Sequence, residues 1–251
     1  MTTQLQMIEY LDEMVKERIQ LFRERNTNKL PTRIIYFRDG VSESQYAKVN
    51  EEELPLIRKA CDSFSTNPKT PYKPKISIVV CSKRHHTRMY PTSADLTDSK
   101  GNSAPGTVVD RGITSIGNLD FFLQAHVGLQ GTARSAHYFM TFDEIGFSAD
   151  TLQGLVHNMS YLFARATKAV SYVPPAYYAD ILCERGRCYL QGLLSGRSDN
   201  HSDAMSDTTA ASGETNKKLK EEQEARAVMA EATIKWDGGP KDDVRKLMFY
   251  M

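Results

Sequence analysis

The sequence predicts an α/β fold on three observations. Apolar runs of strand length at residues 33–37 and 76–80 are bounded by turn residues, segments with helical spacing of apolar residues flank them, and the two patterns alternate along the chain.

The first helical pattern covers residues 4–25, with Met7, Leu11, Met14, Val15, Ile19 and Phe22 on one face. The segment from Asn26 to Pro31 ends it. The strand at 33–37 runs into Arg38-Asp39-Gly40, and a second helical pattern follows through Val49, Leu56, Ile57, Cys61 and Phe64. A Pro- and Thr-containing break at 65–73 leads into Ile76-Ser77-Ile78-Val79-Val80, which predicts a buried strand. Residues 91–106 form a loop punctuated by Gly101-Asn102 and Pro105-Gly106, and short strands are expected at 107–110, 121–123 and 138–140. Ser148 predicts a helix N-cap, because Leu152, Leu155, Val156 and Met159 follow at helical spacing. A last helix is expected from Pro174 towards Leu190.

From residue 195 the composition turns to Ser, Asp, Thr, Asn and Gly, too polar to offset the entropy of ordering. We therefore expect one domain over 1–194 and a disordered insertion over 195–235, within which 217–233 has the Ala-rich, charged composition of a solvated helix. The apolar end Val244-Arg245-Lys246-Leu247-Met248-Phe249-Tyr250 predicts that 236–251 packs back onto the domain.

With 251 residues and 40% hydrophobic content the chain can bury a core. Its net charge of +1 hides an uneven distribution, basic in the middle and acidic in the first two helical stretches and the tail. A near-neutral total therefore leaves room for a local basic groove. Cys61, Cys81, Cys183 and Cys188 form no CxxC pair and no zinc spacing, which points to reduced thiols. No run approaches the roughly 20 apolar residues of a membrane span, and no signal peptide opens the chain. The expectation is a cytoplasmic protein, with the nucleus open and no membrane partner.

Two motifs carry chemistry. Asp39 stands just past an apolar strand, where α/β sheets present ligating groups; it is a candidate metal ligand or the Asp of a simple reversing turn. Lys83-Arg84-His85-His86-Thr87-Arg88 follows the next strand and reads as a solvated basic loop or as a phosphate contact. Adjacent His85 and His86 make a poor metal pair.

Taken in order, Tyr36-Phe37-Arg38-Asp39-Gly40-Val41-Ser42-Glu43, Lys83-Arg84-His85-His86-Thr87-Arg88, His126-Val127-Gly128-Leu129-Gln130-Gly131-Thr132-Ala133-Arg134 and Pro174-Pro175-Ala176-Tyr177-Tyr178-Ala179-Asp180 resemble the C-terminal part of the Piwi domain of eukaryotic Argonaute proteins. The resemblance runs from about residue 31 to 187 and returns at the chain end. It implies a ribonuclease H-like α/β fold, a mixed sheet flanked by helices and lacking the N-terminal strands, with a small guide RNA, a complementary target RNA, and silencing-complex proteins as partners.

For guide binding the resemblance points to Lys83, Arg84, His126, Gln130, Arg134, Arg165, Ser171, Tyr177, Arg185 and Arg187, the last two near the guide 5′ phosphate. Phe163 stands where family members often carry Tyr. For catalysis it points to Asp39 and Asp180 as ligands of Mg²⁺ or Mn²⁺, Asp180 replacing a frequent His. Two-metal hydrolysis needs several carboxylates converging on ions about 4 Å apart. The family's first Asp is expected on a strand preceding residue 1. Gln6, a neutral side chain, falls at its glutamate position, with Glu9 one helical turn away. The expected function is guide binding and RNA-guided target recognition, with target cleavage as the alternative when the missing Asp is supplied. Asp39 and Asp180 are expected to converge in the fold.

Overall fold

The structure is a computed structural model that describes residues 7–66 and 69–198, together with 227, 230–232, 247, 248 and 250. It divides into two compact units, 1–177 and 178–251, each treated by itself.

The first unit is built on a five-stranded mixed sheet in the order β1-β2-β5-β4-β3. Strand β1 is Arg33–Asp39, β2 Lys75–Ser82, β3 Thr107–Val109, β4 Asp120–Gln124 and β5 Ala136–Asp143. β1 and β2 are parallel, in register from Arg33 opposite Lys75 to Asp39 opposite Cys81, whereas β5 is antiparallel to both β2 and β4, and β3 to β4. Parallel neighbours need a long crossover. The helical stretch between β1 and β2 supplies it.

Alternation along β2 builds two cores. Ile76, Ile78 and Val80 face one side with Leu11, Val49, Leu54 and Ile57, while Val79 and Cys81 face the other with Phe121, Leu123, Tyr138, Leu152, Val156, Tyr172 and Val173. The strand is therefore buried on both faces and reads as a continuous apolar run. Helices α1 (Leu11–Arg25) and α3 (Leu54–Asp62) belong to the first side, and α4 (Ala149–Met159) belongs to the second.

Helix α1 begins at Leu11, after Tyr10 in a left-handed conformation (φ 56°), later than the periodicity suggests. Leu11 and Ile19 are buried, but Met14 and Phe22 are half-exposed, so the packed stripe is narrower than the apolar face read from sequence. The second helical pattern is a composite: a turn α2 (Tyr46–Lys48), a π-helical turn (Val49–Glu53) and then α3. Pro55 accounts for the widening, because it lacks an N–H and its ring clashes with the carbonyl four residues back.

Helix α4 starts where Ser148 predicts. The Ser148 Oγ accepts from the Thr151 N–H at 3.2 Å, satisfying one of the helix's orphan donors. Ser148→Ala is expected to lower the unfolding free energy by about 1 kcal/mol, read from urea denaturation.

Helix α5 is Pro174–Ser198, longer than expected, and its first turn belongs to the first unit. It carries the start of the low-complexity segment, residues 195–198, as helix. Of the remainder of that segment only 227 and 230–232 are described, as helix, and most of the expected back-packing end lies outside the described residues.

Candidate nucleic-acid interface

Strand directions gather the candidate residues. β4 runs antiparallel to β5, and β5 antiparallel to β2, so β1, β2 and β4 all point the same way. Their carboxyl ends, together with the amino end of β5, share one edge of the sheet. Asp39 ends β1, Lys83 and Arg84 follow β2, His126 follows β4, and Arg134 precedes β5. The open edge at strand carboxyl ends is where α/β sheets bind ligands.

The cations at this edge press on one another. Lys83 Nζ donates to Ser171 Oγ at 2.7 Å, which brings two predicted contacts together, and Arg134 Nη1 donates to the Lys83 carbonyl at 3.3 Å. Burial, reinforced by the charge of Arg134, holds the Lys83 ammonium below its ordinary pKa. Burial and the Lys83 charge push His126 down to about 4, with Asp98 opposing. Gln124 fixes the strand end by donating from Nε2 to the His126 carbonyl at 2.6 Å and accepting at Oε1 from Ser135 Oγ at 2.9 Å. Such a cluster is electrostatically incomplete, and a polyanion would relieve it.

Arg84, Gln130 and Arg165 are exposed, and Tyr177 packs edge-on against Phe163, with centroids 4.8 Å apart. The two adjacent histidines differ. His85 is structural, its Nε2 2.8 Å from the Ser135 carbonyl and its ring edge-on to Phe122, whereas His86 is exposed.

Asp39 is exposed at the end of β1, and the backbone behind it is anchored by a buried charge network that the sequence reading missed. Arg38 Nε lies 3.0 Å from both carboxylate oxygens of Glu53, which also accepts from Tyr36 Oη at 3.0 Å and from the Ile8 N–H at 3.1 Å. Arg38 Nη1 donates to the Asp39 carbonyl. The available signal was positional. Tyr36 and Arg38, two apart on a strand, face the same side, and Glu53 sits between Val49 and Ile57 on a buried helical stripe. Burial and the Glu53 charge drive the Tyr36 phenol well above its usual pKa. On the other side of β1, the buried Tyr172 hydroxyl forms no well-aligned hydrogen bond, yet burial and the nearby Cys81 and Asp39 raise its pKa.

In the second unit, Asp180, Arg185 and Arg187 are exposed on α5. Arg187 pairs with Glu184, and the Arg185 guanidinium lies 5.9 Å from the Tyr189 ring centroid. Because Asp39 and Asp180 fall in different units, their convergence stays a proposal. Gln6 lies outside the described residues. Among the described residues no three His, Cys, Asp or Glu side chains gather as metal ligands. All four cysteines are free, Cys61 and Cys81 buried, Cys183 and Cys188 exposed. Among the described residues no helix is long and apolar enough to cross a membrane.

The chain as a whole is similar to known proteins. A family description, Piwi domain, matches residues 1–191. The chain is 41% identical over 240 residues to protein argonaute 5 of Arabidopsis thaliana, which covers 94% of this chain and 22% of that protein. It is 47% identical over 185 residues to protein argonaute MEL1 of Oryza sativa, covering 72% and 17%. Among solved structures it is similar to Kluyveromyces polysporus Argonaute with a guide RNA, at TM-score 0.69 and 36% identity, over 74% of this chain and 23% of that one. The C-terminal lobe of a budding yeast Argonaute superposes at TM-score 0.68 and 35% identity, over 78% and 40%. The chain belongs to the Piwi-domain family. Its sheet with flanking helices is the ribonuclease H-like fold of those Argonaute lobes, and it spans about a fifth of the length of the two plant relatives.

Proposed function

We propose that this chain holds a small guide RNA and takes part in RNA-guided recognition of target RNA during gene silencing, acting as the Piwi portion of an Argonaute-type protein. The observation that carries the reading is the basic edge where Lys83, His126 and Arg134 crowd together beside Ser171, with burial and mutual repulsion lowering the pKa of Lys83 and His126. An RNA backbone supplies the missing negative charge, and Arg and Lys there would contact phosphate oxygens. The similar Kluyveromyces polysporus Argonaute was solved with a guide RNA, which supports this choice of ligand.

Arg84, Gln130, Arg165 and Tyr177 would extend the guide contacts along the first unit, and Arg185 and Arg187 would hold the 5′ phosphate. Complementary target RNA and silencing-complex proteins follow as partners of the same reading, with the cytoplasm or the nucleus as its place. Target cleavage is the alternative. Asp39 and Asp180 would then ligate Mg²⁺ or Mn²⁺, hard cations that carboxylates suit, and the metal would activate water and stabilise the leaving oxygen. Two carboxylates alone fall short of such a site, which needs several converging on the ions.

The test is fluorescence anisotropy of the 251-residue chain with labelled single-stranded RNA. Affinity is expected to fall steeply between 50 and 200 mM salt, by about tenfold or more if several phosphates are neutralised. Arg185→Ala is expected to weaken 5′-phosphorylated RNA several-fold more than 5′-hydroxyl RNA. Salt-independent binding would overturn the reading, and equal losses for the two RNAs would remove Arg185 from the phosphate site.

A further inference from the structure

The loop between β4 and β5 carries Gln130 and Arg134, yet its backbone is held from elsewhere. Its partners come from a single short turn, 98–102, flanked by the Thr97–Ser103 bridge. Asn102 is almost fully buried. Its Oδ1 accepts from the Ala133 N–H at 2.7 Å, and its Nδ2 donates to the Gly131 carbonyl at 3.2 Å. Asp98 Oδ2 accepts from the Gly128 N–H at 3.4 Å, and Lys100 Nζ donates to the Leu129 carbonyl. Asp98 also closes its own turn, accepting at Oδ1 from the N–H groups of Lys100 at 2.8 Å and Asn102 at 2.9 Å.

Backbone groups of residues 128, 129, 131 and 133 thus find partners in one turn. A loop of this length that lacks such partners samples many conformations. Glycine at 128 is required for the close approach, because a Cβ there would lie 2.6 Å from Asn102 Nδ2. Gly131 sits at φ 65° and lets the chain turn back. With the backbone satisfied by the turn, the Gln130 and Arg134 side chains remain exposed.

We infer that Asn102, braced by Asp98, is a positioning residue that holds the 127–134 loop in the shape that contacts the RNA backbone. The inference rests on the RNA-binding reading. Its physical basis is preorganisation: a loop already ordered does not lose conformational entropy again when RNA binds. Asn102 touches no RNA on this account, and its effect reaches the ligand through Gln130 and Arg134.

The experiment pairs anisotropy with amide hydrogen exchange on the full chain, comparing wild type, Asn102→Ala and Gly128→Ala, with 5′-hydroxyl single-stranded RNA as the probe. Asn102→Ala removes both side-chain bonds, and we expect affinity to drop about tenfold, with faster exchange confined to 127–134. Gly128→Ala drives a methyl group into Asn102 without removing it and is expected to act in the same direction; it decides the question if Asn102→Ala fails to fold. Wild-type affinity combined with a fast-exchanging loop in the variants would overturn the inference, as would unchanged exchange. Wild-type chain that fails to bind RNA with salt dependence would instead sink the RNA-binding reading, and the exchange data would still report on the brace.

Discussion

Glu53→Ala is expected to lower the unfolding free energy by about 3–5 kcal/mol, among the largest effects of any single substitution in the first unit. The Glu53 side chain is fully buried and that of Arg38 is 8% exposed, so removing the carboxylate leaves a guanidinium in a low-dielectric interior without its principal counter-charge. Tyr36 and the Ile8 N–H lose their acceptor in the same step. Urea denaturation checks the magnitude. The double variant Arg38→Met with Glu53→Leu is expected to recover the part of the loss owed to the unpaired guanidinium, since a buried ion pair replaced by apolar groups of similar size is often near neutral, while Tyr36 and the Ile8 N–H still lack their acceptor. A loss below about 1 kcal/mol for Glu53→Ala would show that water reaches the pair and that Arg38 does not depend on it.

The position of this pair gives its loss a second consequence. Arg38 also donates to the Asp39 carbonyl, so the strand end that presents Asp39 is held through the guanidinium. An apolar replacement removes the unpaired charge but does not restore this tether. Exchange at the 39–42 amides is therefore expected to rise in the double variant by more than its change in global stability accounts for.

Residues 76–80 read as a buried strand because both faces of β2 are covered, which leaves no polar alternation to obscure the run. Ser148 announces α4 because capping is a local interaction, complete within three residues. The basic residues of the candidate interface were also visible one by one. Their convergence depends on strand direction, and a turn such as 98–102 bonds residues about thirty positions away, beyond the reach of any local pattern. Glu53 escaped for a similar reason: an acidic residue beside Glu51 and Glu52 reads as a solvated face until Arg38 and Tyr36 are placed opposite it. The resemblance to Argonautes supplied the order of the motifs, while the pressure among the cations at the sheet edge emerged only from their spacing.

That pressure predicts opposite pH dependences for stability and RNA binding. His126 in the folded chain titrates near 4, against about 6.5 in an unfolded chain, chiefly because burial and Lys83 disfavour its charged form. Above about pH 6.5 the ring is neutral in both states and makes no difference. As pH falls from 6.5 to 4 the unfolded chain takes up the proton first, so stability declines through this window and the loss levels off below 4. The loss is smaller than the full shift implies, since the ring is only part-buried and solvent screens it. If RNA binds as proposed, the sign is expected to reverse, because a phosphate near His126 would favour imidazolium. If the phosphate restores the ordinary pKa, affinity gains up to about tenfold per pH unit below 6.5, or about a hundredfold by pH 4.5. The measurement is anisotropy with 5′-hydroxyl RNA, whose backbone phosphates do not titrate here, at constant ionic strength from pH 7.5 to 4.5. His126→Asn is expected to flatten both profiles in this window. A wild-type affinity that stays level, or one that rises equally in His126→Asn, would place the phosphate away from His126 and move the RNA path toward Arg84 and Arg165.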